Sequence, residues 1–308
     1  MLRRRSSPLK ALDPVQDCSE ICRQIAGYEF PWDVTKALEI ALFRTFCVPS
    51  IGKLLDTTGE FHHRPQKRYD DTGLIISSIL KWGHDSEQGQ AAIGRMNRIH
   101  AHFPISNDDY LYVLSTFIYE PIRWIERFGW RRLSEGEKQS LFQSWFIVGQ
   151  QMGIQDIPAT YEQLEQFNRD YEAQHFRYSK ATQRVGESTL ALFLSWFPAF
   201  VRPALRPVVY ALLDDAMLAA FGFPAANPRL RQLLEALLRW RGRILRYLPP
   251  RKRPYFYVDT PQRSYPQGYT FEDLGPPGLL RSLNRSPAPA SPNSEMPSPA
   301  LGPSGPGS

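Results

Sequence analysis

Gly94-Arg-Met-Asn-Arg-Ile-His-Ala-His-Phe-Pro-Ile-Ser-Asn-Asp-Asp109 contains the end of one helix and the start of the next. Residues 91–102 repeat apolar side chains at helical spacing, and Pro104 stops the run. Ser106 or Asn107 can then cap a new helix, with Asp108 and Asp109 in its first turn to complement the dipole. That helix should run over 110–127, with a kink at Pro121. The pattern extends both ways. Upstream, residues 32–43 and 72–81 read as apolar helices, the second stopped near Gly83. Downstream, Ser134-Glu-Gly-Glu137 is a capping box opening a helix over 138–152, and Thr160 caps another over 161–176. Helices over 189–197, 205–221 and 230–248 complete the set. Little of the chain alternates with period two, and no internal repeat is present. The expectation is an all-α protein with a single helical domain.

Composition bounds the rest. Of 308 residues 42% are hydrophobic and 13% aromatic, so the chain can bury a large core. The net charge of +6 is local. Nine Lys/Arg and one Glu fall between Arg229 and Arg253, a net of +8, so the remainder sums to −2. With no nucleic-acid motif beside it, this charge does not point to DNA or RNA. Cys18, Cys22 and Cys47 are too few for a disulfide framework or a zinc site and read as free thiols of a reducing compartment. The longest charge-free apolar stretch, 188–201, is too short to span a bilayer. The basic start, Met1-Leu-Arg-Arg-Arg5, lacks the apolar run of a signal peptide. Residues 1–27 are expected to be loosely ordered and 28–275 to form the domain. Residues 276–308, with nine prolines, are expected to be a disordered tail, although Tyr269-Thr-Phe-Glu-Asp-Leu-Gly275 has the character of a docking segment.

Three residues stand out as chemistry. On a helix, His100 shares an apolar face with Met96, Ile93, Ala92 and Phe103, whereas Arg95 and Arg98 point elsewhere. A buried imidazole needs a partner for each nitrogen. Spacing alone favours a core histidine bonded to a backbone carbonyl; the sharper reading is an iron ligand. Arg68 and Thr72 lie four apart, on one face if the helix begins early enough. The plainer alternative makes Arg68 part of a solvated basic arm and Thr72 an N-cap. Glu-x-x-His occurs twice, as Glu60-Phe-His-His63 and Glu172-Ala-Gln-His175, but only the second falls on an expected helix, so a di-iron bundle is disfavoured.

Several segments together resemble the fungal mpaB and rubber (latex-clearing) oxygenase catalytic-domain family. They are 37–46, Leu55-Asp-Thr-Thr-Gly-Glu-Phe61, Arg68-Tyr-Asp-Asp-Thr72, the stretch from Arg95 to Asp109, Glu120-Pro-Ile-Arg-Trp124, 209–216 and Phe221-Gly-Phe-Pro224. The resemblance covers most of the helical domain and implies a globin-like, catalytic core holding haem b. It implies that His100 is the proximal iron ligand and that Arg68 and Thr72 belong to the haem pocket. It further implies an oxygenase cleaving C=C bonds, in a prenyl side chain or in polyisoprene. The substrate is then an apolar small molecule, and the setting is secondary metabolism. A Lys acting as distal ligand in rubber oxygenases is Asp71 here, so that role does not transfer. An intracellular place is expected, cytoplasmic or peripheral on the endoplasmic reticulum membrane.

A rival reading keeps the helices and drops the haem. Residues 230–248 carry an apolar stripe beside many arginines, as in helices that lie on anionic lipid. A haem-free scaffold touching a membrane or a partner protein through Arg229 to Arg253 is the alternative.

Overall fold

Serine and threonine hydroxyls set where five consecutive helices of this chain begin. In the computed structural model, which describes residues 12–284, Ser106 Oγ accepts the Asp109 amide at 3.1 Å, and Thr160 Oγ1 accepts that of Gln163 at 3.2 Å. Ser134 and Glu137 close the expected capping box. Each such cap stabilises its helix by about 1 kcal/mol. Asn107, the other candidate, instead bridges to Gln155 through both its amide groups.

The helices are α1 (Cys18–Gln24), α2 (Pro31–Thr45), α3 (Pro49–Thr58), α4 (Glu60–His63), α5 (Pro65–Trp82), α6 (Glu87–His100) and α7 (Asn107–Phe128). They continue as α8 (Glu135–Gln151), α9 (Tyr161–His175), α10 (Lys180–Ser195), α11 (Arg202–Leu212), α12 (Asp215–Phe221), α13 (Pro228–Leu245) and α14 (Leu280–Leu283). Among the described residues there is no strand, only one isolated bridge between Gln262 and Tyr265, so the all-α expectation holds. The helix α7 continues through Pro121, which is buried.

Two apolar clusters organise the molecule. The larger joins α1, α5, α6, α7 and α8 through residues such as Ile25, Leu74, Ile93, Ile118 and Phe142. The smaller joins α2, α4, α10 and α12 through Phe43, Phe46, Phe61, Val185 and Phe221. Burying each such side chain contributes roughly 1.5–3 kcal/mol. The candidate site lies where the two clusters meet.

Four expectations change. Residues 18–27 are helical, not loose: Cys18, Ile21, Cys22 and Ile25 are all buried. Glu60-Phe-His-His63 forms a short helix, not a loop. The helix expected over 205–221 is two helices, because the Asp214 carboxylate caps the second by accepting the Met217 amide at 2.9 Å. Residues 276–284 pack rather than begin a free tail, with Leu283 1% exposed. Residues 285–308, where the rest of the expected tail falls, lie outside the described residues, as do 1–11.

Candidate active site

A cavity of about 230 Å³ lies between the clusters. Leu42 of α2, Phe46 just after it, Ile51 and Leu55 of α3, Ile75 of α5, Met96 and Ile99 of α6 and Val113 of α7 form apolar walls. Arg68, Thr72 and His100 all line it, so the structure brings together the three residues singled out from the sequence. It can do so because α5 begins at Pro65, one turn before Arg68 would otherwise be left as a loose arm. Thr72 is then inside the helix rather than at its cap. Its hydroxyl accepts from Arg68 Nη1 and sits 3.1 Å from the Arg68 carbonyl, to which it donates. The guanidinium also lies 5.7 Å from the centre of the Phe61 ring.

The electrostatics of this cavity are unusual in two respects. His100 Nδ1 is buried and has no hydrogen-bond partner, so the core-histidine alternative finds no bonded carbonyl at that atom. The ring instead rests against Tyr110, centroids 5.5 Å apart. Burial first, and then the positive charge of Arg68, push the imidazole down to about 4. The C-terminal end of α6 favours a cation there, but burial and Arg68 outweigh it. His100 is therefore a neutral imidazole at physiological pH, with a lone pair available.

Arg68 is the second. Burial lowers its basicity, opposed by the charges of Asp71 and Glu60. Yet among the described residues it forms no ion pair, because both carboxylates are engaged elsewhere. Arg64 holds Glu60 at 2.7 and 2.9 Å. Lys67 holds Asp71 at 3.0 Å, joined by the Tyr265 hydroxyl and the Gly275 amide. The cavity thus presents a neutral imidazole and a cation with which no carboxylate pairs among the described residues.

Sequence reasoning missed other parts of the site. Asp109 lines the cavity and accepts from Ser50 Oγ and Tyr171 OH, each at 2.8 Å. Its position in a first helical turn suggested only a dipole partner. Gly275 and Pro276 close one side of the cavity. They are held by Arg95, which is 0% exposed and donates to the carbonyls of Leu274 and Glu272, each at 2.8 Å, and to Asn284. Arg95 points away from the face of His100, as its spacing implies, but that other face is covered by the C-terminal segment, which buries it. The two Glu-x-x-His motifs do not meet. Glu172 pairs with Arg44, and the ring of His175 stacks on Tyr171 at 4.0 Å. Among the described residues, no group of three or more His, Cys, Asp or Glu could hold a metal.

The fold and site are those of an all-helical chain around a largely apolar cavity that also carries a cation and a neutral imidazole. The family model described as "ER-bound oxygenase mpaB/B'/Rubber oxygenase, catalytic domain" matches residues 37–246, more than half of the chain, and the chain belongs to this family of oxygenases. It is 26% identical to ER-bound oxygenase mpaB' of Penicillium brevicompactum, over 83% of this chain and 76% of that one. It is also 26% identical to ER-bound oxygenase mpaB of Penicillium roqueforti, over 69% of this chain and 77% of that one. Latex clearing protein LCP in its closed state shares the helical fold, with a TM-score of 0.56 at 14% identity, covering 82% of this chain and 72% of that one. Family membership makes the protein an oxidoreductase. Among the described residues no helix is long and apolar enough to cross a membrane.

Proposed function

We propose that the cavity holds haem b and that the protein cleaves a C=C bond of an isoprenoid or similar apolar chain with dioxygen. The observation that carries this reading is the neutral His100 with its unpartnered nitrogen beside the unpaired Arg68. An iron already held by a porphyrin would need one donor from the protein, not a cluster of three, so the donor set fits. His100 would be that donor. Arg68 would hold a propionate carboxylate, the ion-pair partner it does not find among the described residues. Thr72 would act as a positioning residue, since its hydroxyl fixes the guanidinium rather than facing a substrate freely. When bound, the haem would supply the activation of dioxygen.

The remaining work belongs to the chain. The apolar walls would bind and align an alkene and exclude water from it. The double bond breaks, and each of its carbons gains one oxygen atom, so one alkene and one O₂ give two carbonyl groups. The ER-bound relatives support a place on the endoplasmic reticulum or in the adjacent cytoplasm. The test is incubation of the haem-loaded protein with prenylated arenes and linear isoprenoids under isotopically labelled O₂. Two carbonyl fragments, each with one labelled oxygen, are expected. A hydroxylated product with its chain intact would make the protein a different kind of haem oxygenase.

A further inference from the structure

Among the described residues, the helix α13 packs on α7 and α11. Leu238 packs on Ala37, Trp124 and Phe128, and Arg241 Nη1 donates to Asp33 Oδ1 at 2.9 Å. At Gly242 the helix comes so close to its neighbour that a Cβ would meet the Phe128 carbonyl oxygen at 2.5 Å. The outer face is apolar and open. Leu233, Leu237, Trp240, Ile244 and Leu248 follow one another at intervals of three or four, as one stripe. Trp240 is 60% exposed. Phe197 and Phe200, just before α11, are also exposed, Phe200 being 84% exposed, and α11 packs against α13. Ten of the fourteen large apolar side chains exposed among the described residues fall within 197–255, a concentration along the chain that includes the whole α13 stripe.

Charge accompanies the stripe. Arg231, Arg239 and Arg241 pair with Asp215, Glu235 and Asp33. Arg229, Arg243, Arg246, Arg251, Lys252 and Arg253 are exposed and have no carboxylate partner among the described residues. We propose that this face docks on an anionic lipid surface, with the stripe in the headgroup–acyl boundary and the free cations on lipid phosphates and carboxylates. A bilayer offers both chemistries along one helix. Trp240 and Tyr247 suit that boundary, being apolar rings with a polar edge. A second copy of the chain fits poorly, since self-pairing would bring the same unpaired cations together.

The test is cosedimentation of the full chain with phosphatidylcholine vesicles, with and without phosphatidylserine. Binding should need phosphatidylserine and fall as salt is raised. Each cation near the surface is worth about 1 kcal/mol, roughly fivefold in partitioning. Arg243→Glu with Arg246→Glu should therefore weaken binding about 25-fold or more. Leu233→Ser, Leu237→Ser and Trp240→Ser combined should abolish it with helicity unchanged, because all three side chains are exposed. Lys53→Glu, an exposed charge on α3, should change little. The proposal is overturned if the wild type does not bind, if Lys53→Glu weakens binding as much as the arginine pair, or if the wild type is a dimer that the serine variant dissolves. The readout involves neither haem nor turnover, so its outcome is independent of the activity proposed above.

Discussion

A guanidinium buried in an apolar cavity without a carboxylate costs the folded chain free energy until an anion joins it. Arg68, part-buried in the cavity wall, approaches that position: among the described residues it pairs with no carboxylate, and its side chain donates to the Thr72 hydroxyl. Arg68→Met, close in volume and uncharged, should therefore raise the stability of the haem-free protein by about 1–3 kcal/mol. It should also weaken haem binding roughly tenfold or more, by removing a charged hydrogen bond to a propionate. Thermal melts of the haem-free forms and a haem titration check both signs. A variant that is less stable and binds haem unchanged would remove Arg68 from the site. The pairing of Arg68 with Thr72 was legible from their spacing, and so was the apolar face of His100. What covers each face was not legible. What meets Arg95 on its own face could not be read from the sequence, because the covering segment lies 179 residues away.

Helix starts were the most legible elements, because caps are local chemistry. Glu137 shows what one contributes. Burial would raise its carboxyl, but Arg131, at 2.6 and 2.8 Å, and the Ser134 amide and hydroxyl outweigh burial and hold it below the ordinary value of 4.5. A carboxylate depressed in the folded state contributes stability that is complete above its unfolded value and lost as pH falls through the folded one. Glu137→Gln should lower stability by about 1–2 kcal/mol at neutral pH, and the gap should close below pH 4.5. Urea midpoints across that range test it; a constant gap would mean the carboxylate's charge is not responsible. Two elements were misread although signals existed. Cys18, Ile21, Cys22 and Ile25 form a helical stripe, masked by the polar residues between them. Asp214-Asp215 is a cap signal inside a run whose apolar spacing continues across it.

At the scale of the whole molecule, the C-terminal segment completes the cavity built by the helices. Asp70 accepts from Tyr257 OH and the Ser264 amide, Asp71 from Tyr265 OH and the Gly275 amide, and Arg95 holds Leu274. Such pairings have no local sequence signature, which is why a disordered tail was expected from Pro276 onward. Arg95→Met should release this segment and cost about 3 kcal/mol, because several acceptors lose a charged donor. Hydrogen exchange would report it as faster exchange over 270–284 with the amides of α7 still protected; uniform protection would show that the segment is held by other contacts. The claim on which the rest depends is that His100 ligates an iron. Haem titration into the wild type and His100→Ala, followed by absorption, tests it directly. The wild type should take up one haem with the Soret band of a histidine-bound iron, and His100→Ala, still helical by circular dichroism, should lose that band or bind far more weakly. Uptake by His100→Ala with the same spectrum and the same affinity would contradict the assignment.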